Sequence, residues 1–548
     1  MRAIDLYSGI GGWSLGLKLA GIEVVASFEW WDRANDTHEK NLGLQVHETN
    51  IRELDFKLLP KNIDLVVGSP PCTQFSFSNR GGSGDVADGM KDVIKFLEVV
   101  QHLKPKFWAM ENVPRLKTLL EEARRANSPL EPFRKLIDKM EIHIVNMAEF
   151  GVPQDRQRCI AGVFPFELLF SYTKKCSKRT LGDVIAALRN DIVSDPNYGF
   201  SAPRISITEL QEEPPLNSEE LRLNREAKMY HPVYNNMAFP DRLERPVRTV
   251  TAVCTRVSRE SIVIADPAQS EKFRRLTVRE RATLQGFPIT YQFFGRSYSE
   301  KLKMIGNAIP PVFTFYVGQA AQEISVETLR LLGEIPEKVP SSVSLPLNTP
   351  PDQQGKSYPA NRTFRLALPG LRFKSGMRFE LANHFEDDQV KWQVGFYYGN
   401  SKDIKAVELD DVLLAMLSDA KRFNSQNLIS QISDLLLRNK LIIDSQEVQS
   451  TWCHAKKALH PFAIVDRLGV IAADIVKLIQ SADVDTQSMI QKFVHDVAFP
   501  PKLLYLGDKK PSASKVEKYF VAIYAGWWVG SWFNEYSQVS QSSLRHVA

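Results

Sequence analysis

The chain has 548 residues, of which 43% are hydrophobic, and its formal net charge is +5. This length can bury more than one hydrophobic core, so we expect about two to four domains. No apolar run approaches the roughly 20 residues needed to cross a bilayer. Five dispersed cysteines without a Cys-x-x-Cys pair argue against a disulfide framework and a structural zinc site. We therefore expect a soluble cytoplasmic protein, whose mild positive charge permits a polyanionic partner without requiring one.

The first predicted strand, residues 4–7, leads directly into a glycine-rich turn, Ser8-Gly9-Ile10-Gly11-Gly12. Apolar residues then continue as a predicted helix that ends near Gly21. In such a strand, turn and helix the backbone can approach a nucleoside cofactor closely, because glycine has no Cβ. The turn alone is a weak signal, but it makes a cofactor site the first hypothesis.

A second predicted strand, residues 22–28, ends in Glu29 and Trp30. An acidic residue about 20 positions beyond a glycine turn is placed to bind ribose hydroxyls. The indole of Trp30 could stack on an adenine. A solvated glutamate and a core tryptophan would be the alternative, and the preceding turn favours the cofactor site.

A third predicted strand, residues 63–67, leads to Pro70-Pro71-Cys72. A thiol at this point lies at the carboxyl edge of the sheet, where open α/β folds bind their ligands. Cys72 is therefore a candidate nucleophile. For the Pro-Pro-Cys motif alone, a buried and inert cysteine is the commoner finding.

Two further strands end in charged side chains. Residues 106–110 end in Glu111, which is expected on the same rim as Cys72. Residues 141–145 precede a segment that contains Arg156 and Arg158. Alternate residues of an extended backbone face one side, so both guanidinium groups are predicted to point the same way. Such a pair suits a phosphate or the polar edge of a base.

Six motifs follow one another along the chain: the glycine turn, Pro-Pro-Cys, Glu-Asn-Val at 111–113, Gln-x-Arg-x-Arg at 154–158, residues 274–288 and Gly306-Asn307-Ala308-Ile309-Pro310-Pro311. Together they resemble the motifs of the DNA cytosine-C5 methyltransferase family. The resemblance covers about residues 1–325. It implies an α/β fold with a Rossmann-like domain that depends on S-adenosylmethionine and acts on double-stranded DNA. No metal is expected.

The resemblance also implies roles for individual residues. Cys72 corresponds to the nucleophile that adds to C6 of cytosine, and Glu111 to the acid that binds the N3 and amino edge. Arg158, supported by Arg156, corresponds to the arginines that hold the exocyclic oxygen and the adjoining backbone. The positions that match the cofactor pocket are Tyr7, Gly9, Gly11, Gly12, Glu29, Trp30, Asn50, Ile51, Pro71 and Asn307. Two of them depart from the family, since Tyr7 replaces a common phenylalanine and Asn50 a usual aspartate.

Composition and motif order predict the domain organisation. The predicted parts are a catalytic and cofactor-binding domain (1–165), a small target-recognition region (166–245), the end of the catalytic domain (246–335), a linker (336–355) and a C-terminal α+β domain of unassigned role (356–548). Within the last part we predict strands at 363–368 and 392–398 and helices at 407–416, 428–437 and 463–479. Near its end lie Trp527, Trp528, Trp532 and Tyr536. These aromatic residues could form a partner surface, but a buried aromatic core is the favoured interpretation.

Three functions remain open from the sequence. The leading hypothesis is a site-specific, nucleoid-associated DNA methyltransferase of a restriction-modification or other anti-phage system, with defence subunits as possible partners of the C-terminal domain. The second keeps the chemistry and replaces DNA by transfer RNA. The third is an inactive DNA-binding subunit, against which the joint presence of Cys72, Glu111, Arg156 and Arg158 argues.

Overall fold

The computed structural model describes most of the chain. The described residues are 1–71, 75, 85–124, 129–230, 236–335, 344–373, 376–386, 389–400, 403–407, 409–419, 421, 423, 425–498 and 513–537. The chain divides into two compact units. One comprises Met1–Met229 and Met237–Gln354, and the other Tyr230–Asn236 and Gly355–Ala548.

The first unit contains strands and helices in alternation. Its strands are β1 (Arg2–Leu6), β2 (Glu23–Glu29), β3 (Val46–Glu48), β4 (Leu65–Gly68), β5 (Phe107–Asn112), β6 (Glu141–Asn146), β7 (Gln154–Asp155), β8 (Gln157–Val163), β9 (Ile192–Ser194), β10 (Ser201–Pro203), β11 (Val247–Arg248), β12 (Val263–Ala265) and β13 (Phe273–Arg275). Its helices are α1 (Gly12–Leu19), α2 (Asp32–Leu42), α3 (Val86–Leu103), α4 (Arg115–Ala123), α5 (Arg134–Ile137), α6 (Phe166–Ser171), α7 (Leu181–Ala187), α8 (Ser218–Met229), α9 (Val278–Leu284), α10 (Tyr298–Asn307) and α11 (Pro311–Ala321).

A seven-stranded sheet forms the centre of this unit, in the order β3-β2-β1-β4-β5-β8-β6. The first five strands in that order are parallel, and β8 runs antiparallel to both of its neighbours. The chain order reverses between β1 and β4, and open α/β sheets bind ligands beyond the carboxyl ends of the strands at such a point. The α/β fold expected from the sequence is confirmed.

Both faces of the sheet are buried. Ala3 and Val67 belong to one hydrophobic cluster, whereas their strand neighbours Ile4 and Val66 belong to another. This alternation follows from the two-residue period of a strand. The first cluster contains apolar residues of α1 and α11, and the second contains apolar residues of α3 and α4.

The central sheet has strands that the sequence patterns did not predict. β3 has only three residues. β8 contains Arg158, for which the sequence predicts a functional residue but no strand of the central sheet. β8 is antiparallel and buried from Cys159 to Gly162, so it lacks the hydrophobic alternation that marks a half-exposed strand. Outside the central sheet, the short strand β11 pairs with β7.

Residues 166–229 lie in the same compact unit as the catalytic motifs. Glu213 illustrates how closely they are joined to later segments. Its buried carboxylate accepts hydrogen bonds from Arg275 (2.7 Å), Arg256 (3.1 Å) and the hydroxyl of Tyr298 (2.6 Å). A buried cluster of charges therefore connects this region to β13 and α10.

The second unit contains one antiparallel sheet and six helices among its described residues. Its strands, in sheet order, are β14 (Arg365–Arg372), β15 (Arg378–Glu386), β16 (Gln389–Asn400) and β17 (Asp403–Val407). Its helices are α12 (Asp411–Ser418), α13 (Gln426–Arg438), α14 (Ser445–Trp452), α15 (Pro461–Gln480), α16 (Val484–Ala498) and α17 (Ala513–Tyr536).

The α+β character of this unit agrees with the sequence, with one difference at a boundary. The predicted helix at 407–416 starts only at Asp411, because residues 403–407 complete the sheet. Trp527, Trp528 and Trp532 are buried, as expected, but Tyr536 is 60% exposed, so the prediction of a buried side chain is wrong for this residue at the end of α17. Among the described residues of the whole chain, no helix has the length and apolar character that a membrane span would need.

Candidate active site

A cavity of about 310 Å³ opens near the reversal point of the sheet. Its lining residues are Tyr7, Trp30, Asn50, Ile51, Arg52, Pro71, Asp88 and Asp92. Five of these were predicted as cofactor-pocket residues from the sequence. Trp30 is 69% exposed, so one face of its indole is available for a ligand.

The glycine turn lies beside this cavity and is held by Glu29, the last residue of β2. The Glu29 carboxylate accepts hydrogen bonds from the backbone N–H of Gly9 (3.0 Å), Trp30 (2.8 Å) and Trp31 (3.0 Å). Burial raises the pKa of Glu29, and these donors oppose the rise. A carboxylate has about four acceptor positions, so one remains for a ribose hydroxyl.

The glycines have different functions within the turn. Gly9 has a φ of +51°, and a Cβ there would meet no atom of the described chain within 4 Å. Gly11, with φ +85°, is the N-cap of α1. A Cβ on Gly12 would lie 2.2 Å from the carbonyl oxygen of Ile309, so α1 packs closely on the segment before α11. Gly9 leaves space open, whereas Gly12 is required by packing.

A short 3₁₀ turn, Ile51–Glu53, presents Asn50 and Ile51 to the cavity. The Asn50 side-chain oxygen accepts from the Arg52 N–H (3.2 Å), and its amide donates to Glu53 (3.0 Å). Asn50 is thus the N-cap of the turn as well as a lining residue. Its oxygen has a second lone pair for a ligand donor.

Three charged lining residues were missed in the sequence. Arg52 forms salt bridges with Asp88 (2.8 Å) and Asp92 (2.7 Å). The two aspartates are four residues apart on α3 and so share one face of the helix. Two sequence features could have indicated these lining residues: the four-residue spacing of the aspartates, and the position of Arg52 directly after Asn50 and Ile51.

A second group of polar residues lies at the end of β5. The Nε of Arg158 is 2.9 Å from Glu111 Oε1, and both side chains are largely buried. The side-chain amide of Asn112 donates to the carbonyl of Pro70 (2.9 Å). Asn112 therefore connects the Glu111 strand end to the Pro70-Pro71 segment after β4.

Arg156 and Arg158 do not share one environment, although their alternation predicted a common face. Arg156 lies between β7 and β8 and is 2% exposed. Its guanidinium donates to the carbonyls of Val250 (3.3 Å), Gly306 (3.1 Å) and Ala308 (3.1 Å). In the described structure Arg156 thus joins backbone segments, whereas Arg158 contacts Glu111.

Two other predicted site residues need separate mention. Cys72 lies outside the described residues, directly after Pro71 in the sequence. Asn307, the last residue of α10, is exposed and is not among the lining residues of the cavity. No group of three potential metal ligands was found among the described residues.

The residues present fit the adenosine part of a cofactor, because space is open at Gly9 and an aromatic face is available at Trp30. The carboxylates of Asp88 and Asp92 line the same cavity, where both are paired with Arg52. The Glu111–Arg158 pair lies on the neighbouring strands β5 and β8, and a cavity at the carboxyl edge of a sheet of this topology is typical of α/β proteins that bind nucleoside cofactors.

The chain belongs to the C-5 cytosine-specific DNA methylase family, whose model matches residues 1–323. It is thus a DNA cytosine-C5 methyltransferase. It is 28% identical to the type II methyltransferase M.HindV of Haemophilus influenzae, over 61% of this chain and 100% of that protein. It is 30% identical to M1.HphI of Haemophilus parahaemolyticus, over 59% of this chain and 87% of that protein. The solved methyltransferase EhMeth of Entamoeba histolytica aligns with 17% identity and a TM-score of 0.40, over 59% of this chain and 98% of that one.

Proposed function

We propose that this protein transfers a methyl group from S-adenosylmethionine to C5 of a cytosine in double-stranded DNA, through a covalent adduct with Cys72. The observation that carries the proposal is the 2.9 Å pair of Glu111 and Arg158 at the end of β5. The Asn112 hydrogen bond to Pro70 supports it, because it joins this pair to the segment that precedes Cys72.

The chemistry requires two residues to act together, because a cytosine ring is a poor electrophile. The Cys72 thiolate forms a bond to C6 while Glu111 supplies a proton at N3, so that electron density collects at C5. S-adenosylmethionine, when bound, supplies an electrophilic methyl group for C5. A base then removes the C5 proton, the bond between C6 and sulfur breaks, and the Cys72 thiolate leaves. The proton on N3 returns to Glu111, which gives neutral 5-methylcytosine and restores the acid.

Arg158 is suited to orient the base. Its guanidinium is fixed by Glu111 and by the Gln157 carbonyl (2.8 Å). A donor held in this way can bind the exocyclic oxygen of cytosine while Glu111 faces N3. A base stacked in a duplex cannot reach these groups, so the target nucleotide must be flipped out, at a cost of a few kcal/mol.

The similar proteins suggest a setting. M.HindV and M1.HphI are both named as type II methyltransferases. By analogy, we propose that this enzyme marks specific DNA sites in a restriction-modification or other anti-phage system. Residues 166–245 would supply the site-specific contacts, and the second unit is a candidate surface for DNA or for other subunits of that system.

The proposal can be tested by trapping on duplex DNA that contains 5-fluorocytosine, with S-adenosylmethionine present. Fluorine at C5 cannot leave as a proton does, so a competent enzyme stalls as a covalent adduct. Genomic-length substituted DNA should be used, so that many sequences are sampled. We expect an adduct with the wild type, and mapping its position gives the target site.

The Cys72→Ala variant is the matched control. It should form no adduct while it retains most of its duplex affinity, which should fall steeply with salt because phosphate contacts dominate. An adduct with Cys72→Ala would reject Cys72 as the nucleophile. An adduct on fluorinated RNA but not on DNA would replace the DNA substrate by RNA.

A further inference from the structure

Asp92 on α3 is a buried carboxylate that the proposed methyl transfer does not use. It is 5% exposed and lines the cofactor cavity. The hydroxyl of Tyr7 lies 3.1 Å from the Asp92 carbonyl oxygen and 3.3 Å from its Oδ1. Arg52 donates to both carboxylate oxygens, through Nε (3.0 Å) and Nη2 (2.7 Å). One aspartate is thus the common acceptor for two other lining residues.

These contacts connect three separate segments of the cavity wall. Tyr7 directly follows β1, Arg52 belongs to the 3₁₀ turn that presents Asn50 and Ile51, and Asp92 lies on α3. Each segment supplies lining residues, but backbone pairing within the sheet fixes only the first. Asp92 therefore connects the 3₁₀ turn and α3 to the end of β1, and Asp88 on the same helix also accepts from Arg52 (2.8 Å).

The backbone of Tyr7 has a conformation that such an anchor can stabilise. Its φ is +57°, in the left-handed region that residues other than glycine rarely adopt. A conformation of this kind persists only where surrounding contacts hold it. The hydroxyl bond to Asp92 is one such contact, and it is formed at the far end of the ring.

The protonation states of Tyr7 and Arg52 allow both residues to donate hydrogen bonds to Asp92. Burial, followed by the nearby Asp92, raises the pKa of Tyr7 well above its usual value, so the phenol keeps its proton and donates it. Hydrogen bonds to Asp92 and then Asp88 raise the pKa of Arg52, which stays cationic. Both donors therefore persist across the physiological pH range.

We propose that Asp92 is a positioning residue for the cofactor, which holds Tyr7 and the 3₁₀ turn in the geometry that binds the adenosine part of S-adenosylmethionine. This inference rests on the proposed use of that cofactor. Asp92 acts through its two partners, because Tyr7 and Arg52 already engage its oxygens.

The test is the affinity for S-adenosylhomocysteine, measured by titration calorimetry on the full chain. Asp92→Asn keeps the size of the side chain and removes the charge that binds Arg52. We expect the dissociation constant to rise about 5- to 20-fold, while kcat at saturating cofactor stays within about threefold. Glu98→Gln is the matched control, since Glu98 is a half-buried acid on the same helix that pairs with Lys95 (3.4 Å) and does not line the cavity. This variant should bind as the wild type does.

A second variant separates positioning from a general loss of stability. Tyr7→Phe removes only the hydroxyl and should weaken binding about 3- to 10-fold. If Tyr7 and Asp92 act through one another, the double variant should bind more tightly than the product of the two single effects predicts. Should Asp92→Asn lack a cooperative thermal transition, Tyr7→Phe alone decides the question.

The outcomes distinguish this inference from the proposed function. A wild-type protein that binds no S-adenosylhomocysteine would overturn the cofactor assignment, and this inference with it. Wild-type binding together with unchanged affinity in Asp92→Asn or in Tyr7→Phe would overturn the positioning of Asp92 only. Equal losses in Asp92→Asn and Glu98→Gln would also overturn it.

Discussion

Two glutamates lie near the carboxyl ends of strands in one sheet, and their partners differ. Glu29, on the cofactor side, accepts three backbone N–H groups, whereas Glu111, on the base side, contacts the side chain of Arg158. Both residues are buried, at 7% and 6% exposure. The two glutamates are therefore equally buried. They differ in their hydrogen-bond donors, which are backbone N–H groups for Glu29 and a side-chain guanidinium for Glu111.

The kind of donor indicates how far Glu29 and Glu111 can each move during a reaction. Backbone donors move only when the strand and turn move, so Glu29 has a fixed position and can select a ligand by shape. A guanidinium on a side chain can exchange its partner for a substrate atom. Glu111 and Arg158 can therefore reorganise around a base, and each prediction below tests this contrast.

The largest effect is expected at the base end. Glu111→Gln should lower turnover by roughly 10²–10⁴-fold, the range for the loss of a general acid. The affinity for S-adenosylhomocysteine should stay within about twofold, because Glu111 is not among the residues lining the cofactor cavity. Steady-state methylation assays and calorimetry measure the two quantities. The control is Glu121→Gln on α4, and unchanged turnover in Glu111→Gln would remove Glu111 from this function.

At the cofactor end we expect the opposite pattern, with a larger effect on cofactor affinity than on turnover. Glu29→Gln places an amide NH₂ among backbone donors, so at least one buried N–H loses its acceptor, at about 1–3 kcal/mol. This cost falls on folding stability. Cofactor affinity should fall as well, because the amide NH₂ replaces an acceptor proposed for a ribose hydroxyl, and calorimetry measures that fall. At saturating cofactor, turnover should fall far less than in Glu111→Gln. Equal effects of the two variants on turnover would contradict the contrast.

The two glycines of the turn provide a finer comparison. Gly12→Ala introduces a Cβ 2.2 Å from the Ile309 carbonyl oxygen, and overpacking of this kind costs about 3 kcal/mol. Gly9→Ala adds its Cβ to open space, so only the left-handed backbone opposes it, at about 1 kcal/mol. Chemical denaturation should give this order of stability. Cofactor affinity should be reduced in Gly9→Ala, and a reversed order of stability would reject the close packing at Gly12.

A further effect concerns pH. Burial raises the pKa of Asp5 from its usual 3.8 to about 7, and hydrogen bonds from Ser14 oppose the rise. Between these values the folded chain binds a proton that the unfolded chain has lost, so this group's contribution to stability falls as pH rises from about 4 to 7. Asp5→Asn removes the titrating group. The stability of the wild type relative to Asp5→Asn, from denaturation at pH 5 and pH 7, should therefore decrease with pH, and a constant difference would contradict the burial effect.

The sequence predicted the ends of four parallel strands, because motifs such as Glu29-Trp30 and Pro70-Pro71 follow apolar runs directly. It did not predict the surroundings of Arg156, which lies between two strands with different partners. β7 pairs with β11 and β8 with β5 and β6, and the spacing of the two arginines in the sequence does not reveal this change of partner. It also missed Asp92, whose partners are 40 and 85 residues away in the chain. Contacts between distant segments leave no local pattern, whereas strand ends and glycine turns do.

The buried cluster around Glu213 has a consequence for how DNA specificity can evolve. Glu213 belongs to the region that we propose reads the DNA, yet its partners Arg275 and Tyr298 belong to segments that follow this region. A grafted recognition region without an acid at this position would take this carboxylate away from two buried arginines, Arg256 and Arg275, which is strongly destabilising. New specificities in this lineage should thus arise by single replacements of exposed side chains, and exchanged blocks should succeed only when the matching acid is carried along.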